Sequence, residues 1–157
     1  MNYAGNELEL FARAQHWKKY WSARVRPYLR GDVLEVGSGL GSNIPFLFDH
    51  SLTSWTALEP DAVLLQSSRS LASRFPVHFL HGDLSVLERR PAFDTILYID
   101  VLEHIQRDEE ELVAALARLR PGGHIVILVP AFMTLYSAYD AAIGDRKSTR
   151  LNSSHMS

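Results

Sequence analysis

The chain has no cysteine among its 157 residues, and this absence excludes disulfide bonds and thiolate metal sites. It also lacks any apolar run near the roughly 20 residues that a membrane-spanning helix needs. The first six residues, MNYAGN, are polar and do not resemble the start of a signal peptide. Together these absences predict a cytoplasmic protein.

Neither sign of charge dominates, since 16 Lys and Arg residues stand against 18 Asp and Glu residues and the net charge is −2. A chain without a strong overall charge gives no indication of a nucleic-acid or membrane-surface partner. Hydrophobic residues make up 46% of the chain and charged residues 22%, which is ordinary for a globular protein. At this length we expect one domain with a substantial core.

One stretch combines an acidic residue with a turn in which glycine occupies every second position. Glu35 lies within the apolar run 32–36, and Gly37, Ser38, Gly39 and Gly41 follow it. Glycine lets the backbone turn tightly and approach a ligand closely, and a helix start behind the turn can offer N–H groups. The nearest general template, the dinucleotide fingerprint G-x-G-x-x-G, places its third glycine one residue later. A carboxylate at position 35 is foreign to a pyrophosphate site and suits a cationic or donor-rich ligand.

Apolar runs alternate with helical patterns along the chain, which predicts an α/β fold with a doubly wound, mostly parallel sheet. The predicted strands are 32–36, 54–58, 77–81, 93–99 and 124–129, the last two buried. A helix is predicted over 7–26, with Leu10, Ala14, Trp17, Trp21 and Val25 on its apolar face. That helix is either a cover for the sheet or a lid over the ligand.

Two later helices carry capping signals. Asp61 is predicted to cap the helix after the second strand, and Asp108 with Glu111 resembles a capping box at the start of another. The Pro-Gly-Gly sequence of residues 121–123 is expected to end that second helix.

Acidic residues stand where the predicted strands end. In an open parallel sheet, ligands bind beyond the carboxyl ends of the strands. Glu35, Glu59 and Asp83 follow one another at intervals of 24 residues, and Asp100 closes the fourth strand. A carboxylate that closes the second strand can bind both hydroxyls of a ribose, and we assign that role to Glu59. The alternatives are a helix-start carboxylate for Glu59 and a solvated turn for Asp83.

Three segments resemble the donor-binding core of class I S-adenosylmethionine-dependent methyltransferases. The glycine turn resembles their first motif, (D/E)-x-G-x-G-x-G. Residues 98–105, YIDVLEHI, resemble the motif after their fourth strand, and residues 119–123, LRPGG, resemble the L-[KR]-P-G-G before the fifth. With the acidic strand ends, these elements stand in family order over about residues 30–132. The likeness is to the small-molecule branch, of the methyltransferase type 11 and 12 kind.

This resemblance implies a Rossmann-like sheet of strand order 3-2-1-4-5-7-6, S-adenosylmethionine as the cofactor and a small-molecule acceptor. It also implies a set of cofactor-binding residues: Glu35, Gly37, Ser38, Gly39, Gly41, Glu59, Pro60, Asp83, Leu84 and Asp100. In the family, the acidic residue that ends strand three meets the adenine amino group. Asp83 matches that position, with the Leu84 backbone N–H near a ring nitrogen. The ligand has an ammonium group, a sulfonium and no phosphate, which suits Glu35.

The implied reaction is an in-line displacement, in which a nucleophile of the acceptor attacks the sulfonium methyl group. The donor is already activated, so the protein mainly positions the reactants and excludes water. A base is needed only for a nucleophile that arrives protonated, and His104 is the candidate because imidazole titrates near neutral pH. Asp100 and Glu103 would hold His104 or line the methyl pocket. The alternative is that Glu103 and His104 only start and brace a helix.

Two other functions remain open from the sequence, namely an NAD(P)-dependent oxidoreductase and a non-catalytic nucleoside-binding module. The position of the third glycine and the acidic Glu35 argue against the first. No metal site is expected at His78 and His81, because residues three apart on a strand point to opposite faces.

The methyltransferase-like sequence extends over residues 1–144, and residues 145–157 are expected to be a non-native tail. Residues 145–155, DRKSTRLNSSH, have no apolar period and resemble the translation of a common sequencing-library adapter. We therefore expect a truncated chain that lacks strands six and seven and is poorly soluble or inactive as it stands. Segments 130–132 and 135–137 are expected to belong to the acceptor wall.

Overall fold

The computed structural model describes the backbone of residues 3–129 and the side chains from residue 13 onward. The predictions for segments 130–132 and 135–137 and for the tail at 145–157 lie outside the described residues. No helix in the described part is long and apolar enough to cross a membrane.

Five parallel strands form one sheet in the order β3-β2-β1-β4-β5. They are β1 (Asp32–Val36), β2 (Ser54–Glu59), β3 (Val77–His81), β4 (Phe93–Ile99) and β5 (Leu119–Leu128). The predicted doubly wound α/β fold is therefore confirmed, with the strand order that the resemblance implied for the first five strands. From β1 the sheet is extended on one side to β2 and β3, and on the other side to β4 and β5. In such a sheet a ligand site is expected between the two halves, beyond the carboxyl ends of β1 and β4.

The described residues form four α-helices, of which α1 (Tyr3–Val25) precedes β1, and α2 (Ile44–Leu47), α3 (Ala62–Ser68) and α4 (Asp108–Leu116) follow β1, β2 and β4. Single 3₁₀ turns lie at Arg26–Tyr28, Arg69–Ser73, Leu84–Val86 and Leu102–His104. The glycine turn after β1 leads into α2, which has only four residues, with a proline in its first turn as predicted.

Each face of the sheet carries its own hydrophobic cluster. On the face covered by α1, α2 and α3, the buried side chains include Trp21, Val25, Val33, Ile44, Leu47, Trp55, Leu65 and Leu97. On the face covered by α4, they include Leu34, Leu58, Leu84, Ile96, Tyr98 and Ala115. Alternate residues of β1 and β4 enter the two clusters, because successive side chains of a strand point to opposite faces.

The predicted apolar face of α1 is only half right. Trp21 and Val25 are buried, whereas Ala14 and Trp17 are exposed. The carboxyl-terminal turns of α1 pack on the sheet, so burial on this face is confined to Trp21 and Val25 among the described side chains, and Leu10 lies outside them.

Three predictions about α4 and β5 are wrong. The cap residue of α4 is Arg107, which makes no side-chain capping bond, and Glu111 instead accepts a hydrogen bond from the Tyr98 hydroxyl at 2.9 Å. The LRPGG segment does not end the helix but lies within β5, where the register shifts between the pairs Phe93–Leu119 and Thr95–His124. β5 is also mostly half-buried, not fully buried as predicted.

Candidate donor-binding site

The three glycines of the turn all have positive φ, with values of 69° at Gly37, 56° at Gly39 and 73° at Gly41. A Cβ at position 37 would lie 2.7 Å from Val101, and one at position 41 would lie 2.7 Å from Leu71. A Cβ at position 39 would meet no atom within 4 Å. Gly37 and Gly41 therefore let the turn pack against the protein, while Gly39 faces open space that a ligand can fill.

The backbone N–H groups of the turn are already hydrogen-bonded within the chain. Those of Gly37 and Ser38 donate to the Leu58 carbonyl at 2.8 and 3.0 Å, and that of Gly41 donates to the Ser38 carbonyl at 2.8 Å. The expectation that this turn and the helix behind it offer N–H groups to a ligand is therefore wrong for these three groups. A turn of this kind does not cradle a pyrophosphate, and it fits a ligand without phosphate.

Glu59 is buried at the end of β2 and bridges two backbone segments. Its Oε2 accepts a hydrogen bond from the Gly39 N–H at 2.7 Å, and its Oε1 accepts one from the Asp61 N–H at 3.0 Å. Each carboxylate oxygen keeps a second lone pair, so the group can still accept from a ligand hydroxyl. The helix-start role belongs to Asp61, as predicted, because Asp61 accepts hydrogen bonds from the Val63 and Leu64 N–H groups.

Glu35 lies on the α1 side of β1 and is fully buried. Its Oε1 accepts a hydrogen bond from Asn43 Nδ2 at 2.9 Å, whereas its Oε2 has no hydrogen-bond partner within the chain. Burial raises the pKa of Glu35 from 4.5 to about 7, against the opposing effects of Asn43, Trp55 and Lys18. A buried carboxyl with an unpaired oxygen beside a glycine turn fits a ligand that brings positive charge or hydrogen-bond donors.

Lys18 of α1 reaches this region, which the sequence did not reveal. Its Nζ donates to the Oγ of Ser42 at 2.6 Å and to the Ser42 carbonyl at 3.1 Å, just after the glycine turn. Burial lowers the pKa of Lys18, and the negative charges of Glu35 and Asp100 act in the opposite direction. Lys18 is not among the residues of the predicted apolar face of α1, and only the docking of α1 brings its ammonium group close to the turn.

Asp83 stands at the start of the 3₁₀ turn Leu84–Val86, and the side chain of Leu84 is buried. Its Oδ1 accepts hydrogen bonds from the Ser85 N–H at 2.9 Å and from the Ser85 hydroxyl at 2.5 Å, which lower the pKa of Asp83. The loops after β2 and β3 are joined where the His81 ring Nε2 bonds to the Pro60 carbonyl at 2.9 Å. This bond keeps the ends of the two strands together, a role for His81 that the sequence did not indicate.

Asp100, directly after β4, has a φ of 53°, and no other described non-glycine residue has a positive φ. Its N–H donates to the Leu128 carbonyl at 2.8 Å, so the strained conformation is fixed by β5. Strain of this kind concentrates at functional sites. His104 is exposed at the end of the following 3₁₀ turn. The catalytic roles of Asp100 and His104 stay predictions.

Among the described residues, no group of three or more His, Asp or Glu side chains could hold a metal ion. The site is instead built from one open glycine position, buried carboxylates and a lysine. This combination fits S-adenosylmethionine, whose sulfonium and ammonium groups are cationic and whose ribose offers two hydroxyl donors.

A parallel Rossmann-like sheet with this site at its carboxyl edge defines a class of nucleoside-binding α/β proteins. Residues 8–156 match the family model described as "Methyltransferase domain", so the chain belongs to the methyltransferase domain family. The predictions of a class I methyltransferase and of S-adenosylmethionine as its cofactor are confirmed.

Individual relatives agree with this assignment. The chain is 25% identical over 120 residues to the tRNA U34 carboxymethyltransferase of Shewanella piezotolerans, a match that covers 71% of the chain and 36% of that protein. Its fold is similar to that of the YcgJ protein of Bacillus subtilis, with a TM-score of 0.62 and 16% identity over 71% of this chain and 50% of that one. It is also similar to DhpI in its complex with SAH, with a TM-score of 0.61 and 23% identity over 74% and 57%. The chain thus spans about a third of the length of the curated relatives that it matches.

Proposed function

We propose that this chain binds S-adenosylmethionine at the carboxyl ends of β1, β2 and β3 and transfers its methyl group to a nucleophile of an acceptor. The observation that carries this proposal is the open space at Gly39. It lies beside the carboxylate of Glu59, to which the Gly39 N–H donates. A donor placed there would have its methionine part over the turn and its ribose hydroxyls near Glu59.

In this arrangement each part of the donor meets a group of suitable charge. Asp100 offers negative charge near the cationic methionine end, Glu35 offers the carboxyl oxygen that has no partner within the chain, and the Lys18 ammonium offers a partner for the carboxylate at the same end. Asp83 keeps its Oδ2 as an acceptor for the adenine amino group, because Ser85 uses Oδ1. These placements are the residue roles that the sequence resemblance implied, with Lys18 added.

The chemistry comes from the donor, whose sulfonium group makes its methyl carbon electrophilic. The acceptor nucleophile forms a bond to that carbon, the carbon–sulfur bond breaks, and S-adenosylhomocysteine leaves. If the nucleophile carries a proton, a base has to accept it, and His104 is the proposed group because it follows the strained Asp100 on the loop after β4. The protein otherwise holds the donor and excludes water.

Calorimetry with S-adenosylhomocysteine and with NAD tests the donor proposal directly. We expect S-adenosylhomocysteine to bind and NAD to show no heat. Binding of NAD in preference would support the oxidoreductase alternative and overturn the proposal. Binding of S-adenosylhomocysteine without transfer of a labelled methyl group to any acceptor tried would favour a non-catalytic nucleoside-binding module.

The acceptor is a separate question. The sequence resemblance implied a small molecule, and this stays a prediction. The curated relatives are named tRNA U34 carboxymethyltransferases, so an RNA acceptor is the second candidate. The exposed aromatic and basic side chains of α1 favour it.

A further inference from the structure

The outward face of α1 carries a stripe of aromatic and basic residues. Arg13, Trp17, Tyr20 and Arg24 follow one another at steps of four, three and four residues, which places them on one side of the helix. The side chains of Trp17 and Tyr20 are 56% and 51% exposed. The adjacent side of α1 carries Trp21, which is buried and packs on the sheet. Large aromatic rings that are exposed side by side on a helix indicate a site where another molecule binds.

Three of these side chains form one continuous stack. The rings of Trp17 and Tyr20 lie 5.7 Å apart between centroids, with 18° between their planes. The guanidinium carbon of Arg24 lies 3.9 Å from the centroid of the Tyr20 ring. We call Trp17, Tyr20 and Arg24 the α1 stack. Planar groups already stacked in this way offer their outer faces and edges to further planar groups.

The segment that contains the α1 stack is strongly basic, although the whole chain is slightly acidic. Residues 13–30 hold six of the 16 Lys and Arg residues and none of the 18 Asp and Glu residues. Lys18, Arg26 and Arg30 hydrogen-bond to Ser42, to the Phe46 carbonyl and to the Gly122 carbonyl. The segment has no acidic residue of its own, although Glu35 and Asp100 act on Lys18 and Asp49 acts on Arg26. Residues 13–30 therefore carry an excess of positive charge in a chain whose overall charge is −2, and such an excess attracts anions.

We propose that the α1 stack is a docking surface for single-stranded RNA, whose bases add to the outer faces of the stack at Trp17 and Arg24 while its phosphates lie near the surrounding basic residues. Stacking on aromatic and guanidinium planes, combined with a basic surface, is the general way in which proteins hold unpaired nucleotides. This inference rests on the proposed methyl transfer, for which it names RNA as the class of acceptor. The Lys18 side of the same helix touches the donor turn, so RNA held on α1 would border the donor site.

The composition of the face distinguishes RNA from other partners. Between residues 13 and 24, the only aliphatic side chains are those of alanines. A helix that enters a membrane surface needs a broad face of large apolar residues, which this stretch does not have. Trp, Tyr and Arg are also enriched in protein–protein interfaces, so what favours a polyanion here is that residues 13–30 hold six basic residues and no acidic one. The surface therefore fits a polyanion with planar bases.

The first test measures binding of a fluorescein-labelled, twelve-nucleotide single-stranded RNA by anisotropy at low salt, with the full chain and no cofactor. We expect Trp17→Ala/Tyr20→Ala to weaken binding about tenfold or more, since stacking on each base contributes substantially. Tyr28→Ala is the matched control, because Tyr28 is 52% exposed in the same basic segment but outside the stack. The affinity of this control variant for the RNA should be within about twofold of that of the parent chain. Trp17→Phe/Tyr20→Phe keeps the stacking planes and should retain most of the affinity.

A second readout reports directly on the stack. The chain has three tryptophans, of which Trp21 and Trp55 are buried and Trp17 is exposed. Addition of unlabelled RNA should quench the tryptophan fluorescence, and Trp17→Phe should remove most of this quenching.

Several outcomes would overturn the inference. These are the absence of RNA binding by the parent chain, equal binding by Trp17→Ala/Tyr20→Ala, or quenching that persists in Trp17→Phe. Stack-dependent binding to vesicles with anionic lipids, with none to RNA, would assign the surface to a membrane instead. Calorimetry with S-adenosylhomocysteine on the same variants keeps the two proposals apart. We expect their donor affinity to be unchanged, and a parent chain that binds RNA but no S-adenosylhomocysteine would contradict only the proposed function.

Discussion

Two acidic residues of β1, three positions apart, lie at opposite ends of the sheet and have opposite electrostatic environments. At the amino end, hydrogen bonds from Ser54 and Arg120 hold the pKa of Asp32 below its usual value. Arg120 also bridges to Asp94 at 2.7 Å, and Asp94 in turn accepts from the Asp32 N–H. At the carboxyl end, burial raises the pKa of Glu35 to about 7, and one of its oxygens has no partner.

The difference separates a structural end of the sheet from a binding end. Polar groups at the amino end are paired by the chain itself, and this pairing links β1, β4 and β5. At the carboxyl end the chain carries a buried carboxyl with an unpaired oxygen, a strained Asp100 and an open glycine position. Features that cost stability in the free protein are expected where a ligand offsets them. We therefore expect substitutions at the amino end to change mainly the stability of the protein, and substitutions at the carboxyl end to change mainly its affinity for the donor.

The largest effect is expected at Gly39. Gly39→Val would fill the open space with a branched side chain, so we expect calorimetry to detect no binding of S-adenosylhomocysteine. Valine also strains a residue with positive φ. Gly122→Val is the matched control, because Gly122 has a φ of 76° and its Cβ would meet only Arg30 within 4 Å, at 3.7 Å. That variant carries the same strain but should keep its donor affinity, and equal affinity in both variants would remove Gly39 from the site.

Glu35 should make stability depend on pH in the direction opposite to Asp32. The folded protein holds the Glu35 proton up to a pH of about 7, whereas an unfolded chain releases it near 4.5. Ionisation of Glu35 therefore opposes folding by an amount that is absent below pH 4.5 and reaches on the order of 3 kcal/mol above pH 7.

Glu35→Gln should accordingly raise the free energy of unfolding at pH 8, and this gain should vanish as the pH falls to 4.5. Urea denaturation at several pH values measures it. Asp32→Asn should do the reverse, because the low pKa of Asp32 contributes stability that is complete above about pH 4 and is lost progressively as the pH falls further. If Glu35→Gln raised the free energy of unfolding by the same amount at every pH, the raised pKa of Glu35 would be contradicted.

Substitution of Glu59 tests whether the carboxylate that joins the glycine turn to the end of β2 also binds the donor. A hydrogen bond to a charged group contributes about 1.5–3 kcal/mol, so Glu59→Ala should weaken S-adenosylhomocysteine binding about tenfold or more. Because the variant also removes the acceptor of the Gly39 and Asp61 N–H groups, its thermal midpoint should fall as well. Asp61→Ala should lower the thermal midpoint by loss of the α3 cap without weakening donor binding. A loss of affinity below about threefold in Glu59→Ala would count against the ribose role.

The smallest effect on binding is expected at the amino end. Arg120→Met removes the partner of Asp32 and Asp94 and should lower the thermal midpoint modestly, because this guanidinium is partly exposed. Donor affinity should stay within about twofold of the parent value, since the change lies far from the turn. A larger loss of affinity would show that the two ends of the sheet are coupled.

The sequence predicted the strands and the glycine turn well because their signals are local. Continuous apolar runs such as 93–99 mark strands that are covered on both faces, and alternating glycines mark a turn with positive φ. The buried faces of the helices were predicted less well. Trp17 fits the hydrophobic period of α1 as well as Trp21 does, and only the extent of the sheet decides which of them is buried.

Tertiary contacts explain what the sequence could not show at the site. Lys18 reaches Ser42 across 24 residues, and Glu59 accepts from Gly39 across 20. No residue spacing or motif in the sequence predicts either contact. The same holds for Arg120, whose motif indicated a helix end and whose side chain instead joins three strands.

The hydrogen bonds of Glu59 have a consequence for the speed and entropy of binding. A free glutamate side chain gives up about 1.5–2 kcal/mol of rotamer entropy when it becomes fixed. Glu59 has already given this up during folding, because N–H groups hold both of its oxygens. A ligand hydroxyl that arrives at this carboxylate thus meets an acceptor in its final orientation. Association at this position need not wait for a side-chain rearrangement.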